Sequence, residues 1–367
     1  MSRRILIYRI GSIGDTAVAL PAFRLVAQTF PDAERRVLTN IPVNTKAAPL
    51  EAVLKNTGLV HGYMAYPLRT RNFHKLVKLR GEICTWRPDT LIYLTPPRGL
   101  FKAFRDMLFF RSCGIKKLIG VPLKRDLQQS RQLDGGHFYE HEASRLGRCI
   151  STLGEIELDD SQGWQLGLTA QERSKARDVL MAWEGTASFA AVSIGTKADV
   201  NDWGSNNWKA LFDQLSRRYP DLGLVLIGSP DEADTSAETG HAWQGPVLNL
   251  CGGLSPRESA AVLEQASLFM GHDSGPMHLA ASVGTPCVAV FSARNKPGEW
   301  FPYGKQHRII YHQMPCFGCR LVVCEKHGKK CIYSIEVSEV LAAVEEILAG
   351  TKLKKLVFDP APIELVK

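Results

Sequence analysis

The chain has 367 residues, 45% of them hydrophobic and 22% charged, a balance that suits a folded protein with two cored domains and excludes a disordered chain. Its formal net charge of +8 points to an acidic partner. No apolar run reaches the roughly 18 to 20 residues that span a bilayer, and Arg9 follows Ile5 to Ile7 too soon for a signal peptide, so a cytoplasmic protein with nine cysteine thiols is expected.

Residues 3–10 read as a buried strand, residues 11–15 (Gly-Ser-Ile-Gly-Asp) as a glycine turn, and residues 16–28 as a helix that Pro21 kinks or restarts. Strands are expected at 36–39, 59–63, 89–94 and 117–120, with helices at 72–85, 99–110 and 137–153. Residues 158–168 are the linker candidate. After a helix at 170–183 the alternation resumes, with strands at 189–194, 223–227 and 247–250 and helices at 206–218, 231–241 and 256–264. An apolar strand at 266–270 then leads through Gly271-His272-Asp273-Ser274-Gly275-Pro276 into a short helix ending at Gly284, followed by a strand at 287–291 and a last helix at 337–348. The tail from Lys352 is basic, then apolar, and is expected to pack back on the first domain.

Alternating strands and helices of this kind predict an α/β protein with two doubly wound domains, residues 1–165 and 166–350, followed by the tail 351–367. Ligands are then expected in the cleft at the carboxyl ends of the parallel strands. The turn at 11–15 lacks the three glycines of a dinucleotide fingerprint, and no G-x-x-x-x-G-K-[ST] loop occurs, which counts against an NAD enzyme and an ATPase. Asp15 is an acid at a helix start on the cleft rim, suited to taking a proton from a hydroxyl or, more simply, to stabilising the helix dipole.

The helix beginning near Gly275 presents unpaired N–H groups beside an Asp, a Ser and a His, an arrangement that favours phosphate. The plainer reading is that Asp273 or Ser274 caps the helix and His278 packs under it. Two further turns, Ser193-Ile194-Gly195-Thr196-Lys197 and Gly228-Ser229-Pro230-Asp231-Glu232, end strands on the same side. Lys197 suits a phosphate and Asp231 or Glu232 a ribose, although each is also an ordinary surface residue. Between Arg98 and Arg131, nine basic residues face only Asp106 and Asp126. That excess suits nucleic acid, an anionic membrane, an acidic substrate or water alone.

The pairing of Arg9-Ile10-Gly11-Ser12-Ile13-Gly14-Asp15 with Gly271-His272-Asp273-Ser274-Gly275-Pro276-Met277-His278-Leu279-Ala280-Ala281 resembles glycosyltransferase family nine, the heptosyltransferases of lipopolysaccharide core synthesis. The resemblance runs over nearly the whole chain, including Asn207-Trp208, the turn at Gly228 and Pro315-Cys316 onward. It implies a GT-B fold, two Rossmann-like domains facing each other across a cleft. It also implies inverting transfer of a sugar from a nucleotide sugar, usually ADP-heptose, with no cofactor or metal required.

By the same resemblance Asp15 is the general base. Thr196, Asp273, Ser274, Gly275, His278 and Asp231 or Glu232 are donor-binding; Lys197 joins them from its own turn, and the basic stretch with Arg98 and Arg105, together with Arg69, Arg71 and Ser12, would then meet an anionic saccharide or glycolipid acceptor. The implied location is the cytoplasmic face of the inner membrane, peripherally, with no nucleic acid bound. The chain departs from the family pattern in having Ser193-Ile194-Gly195 for His-Pro-Gly, Asn201 for a Lys and Gly204 for a Pro, with Lys197 as the shifted source of positive charge. The alternative is a non-catalytic nucleotide-sugar or nucleic-acid binding protein. Cys316, Cys319, Cys324 and Cys331, spaced C-x2-C-x4-C-x6-C with His327 inside, suggest either a structural zinc or a plain cysteine-rich loop.

Overall fold

Two parallel sheets built by strand–helix–strand crossovers form the computed structural model of the chain, which describes residues 3–41, 48–67, 72–133, 135–181 and 188–350. The first contains β1 (Arg4–Tyr8), β2 (Glu34–Thr39), β3 (Gly62–Ala65), β4 (Thr90–Tyr93) and β5 (Lys117–Ile119), ordered β3-β2-β1-β4-β5. The second contains β6 (Ser188–Ser193), β7 (Leu222–Leu226), β8 (Val247–Asn249), β9 (Leu268–His272), β10 (Cys287–Phe291) and β11 (Arg308–Tyr311), ordered β11-β10-β9-β6-β7-β8. Counted within each sheet, both run 3-2-1-4-5, and the second adds a sixth strand. In each the order reverses beside its first strand, at β1/β4 and β6/β9, and a crevice opens there at the carboxyl ends.

The central strands are continuous apolar runs because helices cover both faces of a parallel sheet. Ile5 to Tyr8 are buried without exception, as is the whole of β6. The largest apolar cluster does not stop at the boundary between the sheets. It joins Ile5, Leu20 and Phe23 of the first half to Leu180, Phe189, Met277 and Ala280 of the second.

Polar ties reinforce that contact. Arg257 is buried and donates to Val53 O of the first half at 2.9 Å, to Leu166 O at 3.0 Å, and to both carboxylate oxygens of Glu172. The candidate linker is therefore pinned rather than slack, and it holds a short helix, Ser161–Trp164. The expected helix at 137–153 is shorter, Glu142–Cys149. The backbone ahead of it runs along the second half, where Tyr139 N donates to Pro297 O and Glu142 N to Glu299 O, and these bonds compete with helix formation. Pro21 restarts a helix, Leu20–Thr29, after the first one, Ile13–Val18, has ended. Strand β11 is an addition to the expected set, a four-residue edge strand paired with β10. Among the described residues no helix is long and apolar enough to cross a membrane. Arg69, Arg71 and the tail 351–367 lie outside the described residues.

Candidate active site

The turn after β1 is organised by two side chains. Asp15 Oδ2 accepts the Ser12 N–H at 2.9 Å and the Ser12 hydroxyl at 3.3 Å, a reciprocal cap on the Ile13–Val18 helix. Beneath it Arg9, wholly buried, donates to Leu94 O at 2.5 Å and to the carbonyl of Asp15. Burial lowers the Arg9 pKa, against the attraction of Asp15 and Glu142. The guanidinium thus ties the ends of β1 and β4 to the backbone that carries Asp15.

In the second half, His272 closes β9. Its Nε2 accepts the backbone N–H of Trp203 at 3.1 Å and the indole N–H of Trp208 at 3.3 Å, so the ring is held neutral, and burial takes its pKa to about 4. Asn201 donates to Asp273 O at 3.2 Å and accepts from Ser292 Oγ at 2.5 Å. Asn201 is therefore a buried strut under the turn. Ser274 stands at the start of the Gly275–Ser282 helix, yet its hydroxyl caps nothing and is buried without a partner among the described residues. Asp273 instead accepts from Asn295 Nδ2 at 2.9 Å. The plain capping reading of these two side chains is not what the fold contains.

The two turns meet. A Cβ placed on Gly14 would lie 2.9 Å from His278 Cδ2, and one on Gly275 would lie 3.0 Å from Ile13 Cβ. Each motif's glycine is the space into which the other motif's helix fits. Glu232 plays a similar part between the β6 and β7 turns, where its carboxylate accepts the Ser229 N–H at 2.8 Å and fills the space beside Gly195 and Gly228.

Between the halves lies a cavity of about 720 Å³. Ser12, Asp15, Thr196, Lys197, Asp231, Glu232, Asp273, Ser274, Gly275 and His278 all line it, so residues from 12 to 278 in sequence face one space. Burial raises the Asp273 carboxyl to about 6, with Arg294 and Asn295 opposing the rise and Asp15 adding to it. Burial, helped by His141 and His307, lowers His278 to about 3, and its Nε2 sits 3.9 Å from Asp273 Oδ1. At neutral pH the pair is a neutral imidazole beside a carboxylate. Enclosure lowers the Lys197 pKa, while Asp15 and Glu232 pull it back up.

Arg98 and Arg105 stand elsewhere. Both grip the buried Asp106, and Arg98 also donates to the hydroxyls of Tyr8 and Tyr93 at 3.0 and 3.2 Å. Neither lines the cavity. Cys316 and Cys319 are exposed, Cys324 half-buried and Cys331 buried, all as thiols, and among the described residues no three His, Cys, Asp or Glu side chains are gathered to hold one ion.

Several cavity residues escape the sequence reading. Glu142 is clamped by both arms of Arg145 at 2.7 Å, and Arg294, Asn295 and Glu299 follow the carboxyl end of β10. Buried Glu299 lies 3.5 Å from Arg320 and leaves Oε2 without a hydrogen-bond partner among the described residues. The rule that ligands meet strand carboxyl ends already applies to 294–299, but no motif marks them.

Two doubly wound sheets meeting at their carboxyl edges over a shared cavity define the GT-B architecture. The sequence pattern of glycosyltransferase family 9 (heptosyltransferase) matches residues 108–329. The chain belongs to this family and is a glycosyltransferase.

It is similar to lipopolysaccharide heptosyltransferase 3 of Escherichia coli K12, 28% identical over 359 residues, 91% of this chain and 95% of that one. A second Escherichia coli lipopolysaccharide heptosyltransferase 3 is 30% identical over 157 residues, 41% of this chain and 44% of that one. Among solved structures, a family 9 glycosyltransferase from Veillonella parvula superposes with a TM-score of 0.73 at 17% identity, covering 95% of this chain and 98% of that one. The E. coli heptosyltransferase WaaC with ADP-2-deoxy-2-fluoro heptose superposes at 0.62 and 18% identity, covering 94% and 99%. At these identities the superpositions speak for the fold.

Proposed function

We propose that the protein transfers a heptose from ADP-heptose, with inversion and without a metal, to an anionic lipopolysaccharide-core saccharide, using Asp15 as general base. The observation that carries this reading is the single cavity walled by Asp15 from one half and by Asp273, Ser274 and the first turn of the Gly275–Ser282 helix from the other. An acceptor hydroxyl beside Asp15 attacks the anomeric carbon from the face opposite the diphosphate and gives its proton to the carboxylate. Both bonds to this carboxylate fall on Oδ2, and Oδ1 accepts no hydrogen bond among the described residues. As the sugar departs, charge grows on the diphosphate. Backbone N–H groups at the helix start, the unpartnered Ser274 hydroxyl and Lys197 are the donors for it.

Support for the donor also comes from the relatives: the similar E. coli heptosyltransferase WaaC has been solved with ADP and with ADP-2-deoxy-2-fluoro heptose. In this reading residues 1–165 hold the acceptor and 166–350 the donor. Glu232, already a cap, and Asp231 flank the ribose, while Asp273 and His278 meet the sugar. The site works from within the cell, at the inner membrane where the lipid acceptor resides.

Asp15→Asn is expected to lower transfer from ADP-heptose by about 100-fold or more while ADP binding, measured by calorimetry, changes by less than about twofold because the acid is not a phosphate contact. Near-normal turnover in that variant rules out Asp15 as the base. Titrations with UDP and GDP alongside ADP test the nucleotide independently.

A further inference from the structure

Two helices on the first half leave an apolar stripe uncovered. In the Phe73–Trp86 helix Leu79, Ile83 and Trp86 face the core, and in the Leu100–Ser112 helix Ala103, Asp106 and Phe110 do so. Outside that packing, Phe101 is 81% exposed and Phe73 72%, with Phe104, Leu108 and Val77 about half exposed. Right-handed crossovers from β3 to β4 and from β4 to β5 put both helices on the same face of the sheet, where they share one apolar cluster and touch through Arg80 Nε, which donates to Ser112 O at 3.0 Å, and Cys84, which lies against Cys113 O. The exposed rings on the two helices therefore belong to one face.

The chemistry around the rings is one-sided. These helices carry Lys75, Lys78, Arg80, Lys102, Arg105 and Arg111, against Glu82 and the buried Asp106, which Arg98 and Arg105 already neutralise. Exposed aromatic tips among lysines are poor material for a protein interface, whose core is depleted in lysine. They suit a bilayer surface, where rings enter the headgroup–acyl boundary and each lysine gains from lipid phosphates.

Topology also places this face with respect to the cavity. Both helices follow the carboxyl ends of their strands, β3 and β4, so their first turns lie on the edge of the sheet where the cavity opens. Pro96 and Pro97 line the cavity, and the second helix begins at Leu100.

We propose that the Phe73–Trp86 and Leu100–Ser112 helices dock the protein on an anionic lipid bilayer, with Phe73, Phe101 and Phe104 entering the boundary layer and Lys75, Lys78 and Lys102 meeting lipid phosphates. The cavity mouth then opens beside the membrane, within reach of a lipid-linked acceptor. That last consequence rests on the function proposed above, whereas the docking itself does not.

The full chain is mixed with phosphatidylcholine vesicles, with and without one part in three of phosphatidylglycerol, and sedimented, while ADP binding is followed by calorimetry. Wild-type protein is expected to bind only the anionic vesicles and to release in high salt. Phe73→Ser with Phe101→Ser, and separately Lys78→Glu with Lys102→Glu, are expected to weaken vesicle binding on the order of tenfold and to leave ADP affinity unaltered. Three results overturn the proposal: no binding to anionic vesicles, undiminished binding by the Phe73/Phe101 variant, or a wild-type dimer in velocity sedimentation that the same variant dissolves. Vesicle binding without ADP binding would retain the docking and reject the donor reading. ADP binding without vesicle binding would do the reverse.

Discussion

Asp273 is the residue whose chemistry depends most on where the fold puts it. In water an aspartate is ionised well below neutrality, but burial holds this one to about 6. A carboxylate accepts sugar hydroxyls and a carboxylic acid accepts fewer, so transfer is expected to rise with pH through about 6. Asp273→Asn, which cannot ionise, should be slower and should lose that limb of the kcat/KM profile. A profile that keeps the limb assigns it to another group. The neighbouring Asn201 illustrates the opposite relation, in which a polar side chain is absorbed into structure: both ends of its amide are hydrogen-bonded under the Asp273 turn. Asn201→Ala leaves the Ser292 hydroxyl and the Asp273 carbonyl without these partners, and should cost about 1–3 kcal/mol, read as a shift in the denaturation midpoint.

At the scale of elements, the Ile13–Val18 and Gly275–Ser282 helices form one interlocked unit across the cavity. Gly14→Ala puts a methyl group 2.9 Å from the His278 ring. The ring is buried and has little room to move, so overpacking should cost about 1–3 kcal/mol and displace Asp15 relative to the donor turn. Transfer should fall further than stability does. Restored stability on adding His278→Ala would trace the effect to this contact, and a Gly14→Ala enzyme of normal activity and stability would refute it. The basic stretch behaves differently from the expectation of a single acceptor surface. Arg98 and Arg105 spend their charge on Asp106, while the lysines beside them stay exposed.

For the whole molecule, four histidines are held neutral by burial, His141, His272 and His307 at about 4 and His278 at about 3. The unfolded chain protonates each near its ordinary value of about 6.5, so between about 6.5 and 4 it binds more protons than the native state. Stability therefore rises with pH through that window and is lost as pH falls, at about 1.4 kcal/mol per pH unit for each fully contributing histidine. Asp273 acts in the opposite direction: its raised pKa contributes stability at low pH that is lost as pH rises from about 4 to 6, and one carboxyl offsets only one histidine. Urea denaturation at pH 7.5 and pH 5 should give a clearly lower midpoint at pH 5. Equal midpoints would mean that these imidazoles are not held neutral. Three of the four stand at contacts between the halves or at the donor turn: His141 donates to Phe301 O, His272 supports Asp273, and His278 meets Gly14.

Strand periodicity and the glycine turns belong to local sequence, and they determined the α/β class and most strands, because hydrophobic alternation and turn chemistry act over a few residues; the ten cavity residues from Ser12 to His278 were marked by those turns together with the family resemblance. Strand order, the mutual fit of Gly14 and Gly275, the sealing of Asn201 and the presence of Glu142, Arg294 and Glu299 in the cavity were decided only by tertiary structure. Each depends on which segments, often a hundred or more residues apart, come to share a surface. Burial then assigns charge: at position 273 it raises the carboxyl to about 6.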